Sequence, residues 1–78
     1  MNPVLKNQFR RLDRALLALL DERVRLAREL APGDASVAPA LEDLLRRHAG
    51  PSSPEDLREL FAAVARACER AQRAQEHP

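Results

Sequence analysis

The chain has 78 residues, room for one domain spanning residues 1–78. A chain this short buries only about 60% of its unfolded surface; its single cysteine, Cys68, excludes an internal disulfide, and Cys68, His48 and His77 lack zinc spacing, so oligomerisation is the route left to a larger core. Thirteen Lys and Arg against 12 Asp and Glu, with no Trp or Tyr, exclude the basic excess and the aromatic platform of a nucleic-acid binder, and no apolar run suits a membrane span or a signal peptide, so a cytoplasmic protein is expected.

The first predicted helix opens at Asn2-Pro3, an N-cap followed by proline at the first helical position. It is expected to run to about Ala31, where Pro32-Gly33-Asp34 stops it. Along it Leu5, Phe9, Leu12, Leu16, Leu19, Arg23, Leu26 and Leu30 alternate steps of four and three, a heptad seam. Leu17, Leu20, Val24 and Ala27 widen the apolar face enough for more than one neighbour. Arg14, Asp21, Arg25 and Arg28 form the solvated face opposite.

A short second helix is predicted over 39–49, with Pro39 starting it and Leu41, Leu44 and Leu45 on its apolar face. Ala49-Gly50-Pro51 ends it, with glycine at the C′ position and His48 near the final carbonyls. The third helix is predicted over 54–75, opened by the Ser53 N-cap, Pro54 and the first-turn acids Glu55 and Asp56. Leu57, Leu60, Phe61, Val64, Cys68 and Ala71 mark its buried face, and Glu76-His77-Pro78 should fray. The fold class is therefore all-α, three helices with a long first one, and no strand signal.

Arg23 breaks the pattern, because the seam demands an apolar residue there. An unpartnered buried charge costs several kcal/mol. Two readings stand: Arg23 snorkels outward or pairs with Asp21 or Glu22, or it points into an interhelical cavity and binds an anion with its planar fork. Gln72 lies one turn after Cys68, a polar residue beside an apolar stripe, either a core-edge glutamine or a hydrogen-bonding site residue. Cys68 reads as a small buried hydrophobe, since no His or Asp is placed locally to activate it.

The stretch Leu12-Asp13-Arg14-Ala15-Leu16-Leu17-Ala18-Leu19-Leu20-Asp21-Glu22-Arg23, continued by Leu26-Ala27-Arg28-Glu29-Leu30, resembles the first helix of the all-helical chorismate mutases. In that family a Leu-Asp pair is followed by paired leucines and then an arginine ten residues after the Asp, here Arg23. Leu44 to Pro51 is similar to the family's second helix and its exit, and Leu60 to Val64 with Gln72 to its third. The resemblance implies an intertwined homodimer sharing the long first helix between two sites, a small dicarboxylate as ligand, no cofactor, and conversion of chorismate to prephenate. Such catalysis holds a reactive conformer and opposes charge on the breaking ether oxygen.

Of the implied site residues, Arg23 and Gln72 match. The arginine contributed across the dimer falls on Lys6, which keeps the charge without the fork. The serine one turn before the glutamine falls on Cys68, the ether-oxygen lysine near Asp34, and the arginine and glutamate opening the second helix on Ala40 and Leu41. Losing one donor to developing charge costs about 10²–10³ in rate. The same gaps count against the related isochorismate–pyruvate lyases. The expectation is thus a mutase-like dimer with weak or no turnover, a binding or regulatory partner for an enzyme of aromatic biosynthesis. Two alternatives stand beside it: a divergent working mutase with Arg10, Arg46 or Arg47 supplying charge, and a plain helical interaction module.

Overall fold

The computed structural model describes residues 2–74. It contains α1 (Pro3–Ala27), a single 3-10 turn at Ala35–Val37, α2 (Leu41–Arg47) and α3 (Pro54–Ala74). The all-helical, three-helix architecture holds, with no strand among the described residues. The proposed end of the third helix at residue 75, and the fraying of Glu76, His77 and Pro78, lie outside them.

The starts of α1 and α3 form as their sequences dictate. Asn2 is extended, and its side-chain oxygen accepts from the Val4 N–H at 2.8 Å with Pro3 at the first helical position. Ser53 Oγ accepts from the Asp56 N–H at 3.1 Å, and Glu55 and Asp56 sit where the helix dipole favours acids.

The ends of α1 and α2 differ from the sequence expectation. α1 stops at Ala27, four residues before Ala31. Pro32 disfavours helical backbone at the residue before it and has no N–H to continue the ladder. The last turn therefore tightens, with Glu29 N–H donating to Leu26 O and Leu30 N–H to Ala27 O over three-residue spans. A β-turn then closes over Ala31–Asp34, with Asp34 N–H on Ala31 O at 3.0 Å and Gly33 at φ 83°. Proline second and a positive-φ glycine third is the chemistry of a type II turn.

α2 spans 41–47 rather than 39–49. Pro39 precedes it without entering it, and Ala40 gives it no side-chain cap. At its end His48 is extended (φ −75°, ψ 130°) and its Nε2 lies 2.9 Å from Ser52 O, beyond the helix, not on the final helical carbonyls. Gly50 is not left-handed; a Cβ there would stand 3.0 Å from His48 Cε1, so the glycine makes room for the ring.

The core is small. Ala27, Val37, Val64 and Cys68 are buried, with Val24 and Leu30 packed against them. It lies where the last turns of α1, the 35–37 turn and the second half of α3 meet. Val64, Cys68 and Gln72, each four residues from the next, form one buried stripe of α3. Leu57, Phe61 and Ala71 are half-buried, whereas Leu60, expected inside, is exposed. Arg58 of α3 pairs with Glu42 of α2 at 2.8 Å.

Most of α1 has no cover. Every residue from Pro3 to Glu22 is exposed. The radius of gyration is 15.2 Å, against about 11.5 Å for a compact chain of this length. No helix among the described residues is long and apolar enough to cross a membrane.

Candidate functional site

Arg23 sits on the last third of α1, where that helix first meets α3. Its side chain is half-buried and turned inward. Nη1 donates to Cys68 Sγ at 3.0 Å and Nη2 to the Val37 carbonyl at 2.8 Å. The nearby acids do not hold it: Glu22 is taken by Arg25, whose Nε lies 3.0 Å away. That hydrogen bond, reinforced by the Arg25 charge, holds the Glu22 carboxyl below its ordinary value. The outward or acid-paired reading of Arg23 therefore gives way to an inward one, with a carbonyl and a sulfur as partners.

Gln72 is nearly fully buried, at 2% exposure. Its Nε2 donates to Ala31 O at 3.2 Å and Asp34 O at 3.3 Å, the two ends of the Pro32-Gly33 turn. Cys68 is fully buried and accepts from Arg23, in keeping with a small core residue. Arg23 and Gln72, 49 positions apart, thus grip the same connector from its two sides.

They do not share a cavity. Arg23 lines a shallow hollow of about 360 Å³ with Leu26, Glu29, Leu30, Ser36 and Val37. Gln72 lines another, of about 560 Å³, with Pro32, Asp34, Val37, Glu69 and Arg73. Val37 lines both hollows, so within one chain Arg23 and Gln72 open onto neighbouring but separate spaces. The Gln72 hollow carries two carboxylates against one guanidinium. Asp34 is firmly anionic: the Ser36 backbone N–H, 2.8 Å from Oδ1, and then the Ser36 side chain hold its carboxyl below the ordinary value, against a lesser push from burial.

Lys6 lies at the exposed start of α1. Seventeen residues of helix, roughly 26 Å at 1.5 Å per residue, separate it from Arg23. Within one chain the two cannot meet around a small ligand. Arg10, Arg46 and Arg47 are exposed, and none lines the Arg23 or Gln72 hollow. Arg47 Nε lies 3.0 Å from Asp43.

Sequence reasoning missed the connector as a site element. Val37 O and the carbonyls of Ala31 and Asp34 are backbone groups, invisible to residue type. The available signal was Asp34-Ala35-Ser36 after Pro-Gly, since Asp accepting from the N–H two residues on builds a local turn. What the arrangement offers chemically is limited. Arginine has five N–H donors and two are engaged, so Arg23 retains donors for an anion in its hollow. No cluster of His, Cys, Asp and Glu among the described residues could hold a metal ion. No protein-family model, curated protein sequence or solved structure matches this chain.

Proposed function

We propose that this chain is a chorismate-mutase-like helical homodimer that turns chorismate over weakly or not at all, and that it serves as a small-anion-binding or regulatory partner in shikimate-derived aromatic metabolism. One observation carries the reading. Arg23 and Gln72, the two residues that match the family's site, are hydrogen-bonded to the chain's own connector and open onto different hollows. A rearrangement without acid, base or nucleophile needs both aimed at one ligand. The hollow beside Gln72 carries the Asp34 and Glu69 carboxylates, which would repel a dicarboxylate and the charge developing on its ether oxygen. The remaining donors of Arg23 support anion binding, which stabilises ground and transition states alike and leaves the chemical step unaccelerated.

A second reading, a plain helical interaction module, is favoured by the same hydrogen bonds, since Arg23 and Gln72 already have a structural task. A chorismate-depletion assay on the wild-type protein beside Arg23→Ala, with calorimetric titration of chorismate into both, separates the readings. Little turnover with binding that weakens in Arg23→Ala is expected. Robust turnover lost in Arg23→Ala would overturn the proposal in favour of a divergent mutase. Absence of both turnover and binding would leave the interaction module.

A further inference from the structure

The charges of this chain are segregated. Of its 13 Lys and Arg and 12 Asp and Glu, residues 6–14 hold four and one, leaving nine and eleven elsewhere. The four are Lys6, Arg10, Arg11 and Arg14, and the one acid is Asp13. Beyond this segment, acids three or four residues away hold Arg25, Arg46 and Arg47, and Arg58 reaches across to Glu42. Within it no ion pair forms among the described residues, although Asp13 stands three positions from Arg10. Lys6, Arg10 and Arg14 rise instead in steps of four, which stacks like charges up one side of the helix and destabilises it. The start of α1 gives them no relief. α2 opens with Glu42 and Asp43 and α3 with Glu55 and Asp56, whereas the first turn of α1 holds no acid. These cations work against the helix that carries them, so their use lies outside the chain.

All four side chains are exposed. Arg10, Arg11 and Arg14 lie about 140°, 120° and 180° round the helix from Leu5. They therefore stay open when the leucine seam is covered, and none of them lines the Arg23 or Gln72 hollow. The residue type and the spacing describe the partner. An arginine fork bonds both oxygens of a carboxylate at once. Arg10 and Arg14 stand roughly 6 Å apart along the axis, the rise between two carboxylates four residues apart on a facing helix. A uniformly anionic surface, a bilayer or a nucleic-acid backbone, fits less well. Asp13 borders the arginines, and Asp21 follows Arg14 by seven residues on the same side of the helix, so such a surface would meet two carboxylates, whereas a protein can set a cation opposite them. The chain also has no Trp or Tyr on which bases could stack.

We infer that Arg10, Arg11 and Arg14 form a docking surface for an acidic helix of a partner protein, with Asp or Glu four residues apart facing Arg10 and Arg14. This rests on the partner role in the proposed function and adds the partner's chemistry. The probe is a stapled, fluorescein-labelled helical peptide with Glu at every fourth position, beside an isomer of the same composition whose glutamates are scattered round the helix. Binding is followed by fluorescence anisotropy, with circular dichroism and sedimentation on the same proteins. The expected result is saturable binding of the first peptide, tighter than of its isomer. Reversing two charges, Arg10→Glu with Arg14→Glu, should weaken it by about tenfold or more, and a peptide with Lys in place of Glu should bind that variant instead. Should the variant fail to fold, Arg10→Gln with Arg14→Gln removes the charges while keeping helix formers and is expected to lose binding likewise. Equal binding of the isomer would overturn the spacing. Tighter binding of phosphatidylserine vesicles or a single-stranded oligonucleotide, lost in the same variants, would overturn a protein partner, and no saturable peptide binding would overturn the surface itself. Chorismate depletion on the same samples separates the two readings. Robust turnover by a protein that binds the peptide would overturn the catalytic reading alone, and an inactive protein that binds no peptide would overturn the docking surface alone.

Discussion

Arg23 is anchored by two acceptors from different parts of the chain, the Val37 carbonyl and the Cys68 sulfur. Val37 is buried, so removing the donor leaves its carbonyl without a partner, at a cost of about 1–3 kcal/mol. Arg23→Met, which keeps most of the stem, should lower stability by that amount in urea denaturation at fixed protein concentration. Gln72→Leu should cost about 1 kcal/mol, the low end, because Ala31 is exposed and water can reach its carbonyl. Both residues hold the 31–37 connector, so the double variant should lose less than the two single losses together. Full additivity would show that they do not act on one element.

Asp34 gives the pH dependence at this scale. Its folded value lies below the ordinary aspartate value of about 3.9. The stabilisation from its charged form is therefore present above that value and is lost as pH falls through the lowered one. Asp34→Asn keeps an acceptor for the Ser36 N–H but removes the charge. The stability gap between wild type and Asp34→Asn should be present at pH 7 and shrink below about pH 4. A gap unchanged down to pH 2 would contradict this.

At the scale of elements, the starts of α1 and α3 were legible because their chemistry is local, whereas α2, with no side-chain cap, begins two residues after the Pro39 that marked it. Asn2-Pro3 and Ser53-Pro54 state a cap and a first helical residue in adjacent letters, and both caps form. The ends of α1 and α2 were not, because each depends on a residue acting at a distance. Pro32 tightens the turn before it and ends α1 at Ala27. The His48 ring reaches forward to Ser52 and takes the chain out of α2 before Gly50 can act as a left-handed cap. Arg23 was legible as an anomaly but not as a clamp, since its partner is a backbone carbonyl. Gln72 was legible as a polar residue on an apolar stripe, and its partners were hidden for the same reason. The two glycines should respond differently to alanine. Gly33 holds φ 83° with nothing within 4 Å of a Cβ, so Gly33→Ala should cost about 1 kcal/mol through backbone conformation alone. Gly50→Ala should cost less, because the atom it meets belongs to a movable ring. Thermal melts of the two variants check the order.

At the scale of the whole molecule, the chain is an open framework. Its core joins only the last turns of α1 to α3 and the connector, while the long first helix carries a leucine face into solvent. The sequence announced that face through its heptad spacing, and the exposure of Leu12, Leu16 and Leu19 has the same origin: 78 residues supply one α3 and one α2, too little to cover 25 residues of helix. Burying those leucines against a second copy is worth about 1.5–3 kcal/mol for each side chain taken fully out of water. Leu16→Glu would place a carboxylate in the middle of that leucine face, unpaired in the proposed homodimer, so it should dissociate that homodimer and reduce helicity at micromolar concentration. Arg14→Glu, on the opposite face, should leave association intact.

The most direct test is sedimentation equilibrium of the wild-type protein at micromolar concentration, with circular dichroism on the same sample. The account predicts a folded species of twice the 8.7 kDa chain mass, replaced by a less helical monomer in Leu16→Glu. A stable, fully helical monomer in the wild type would contradict it.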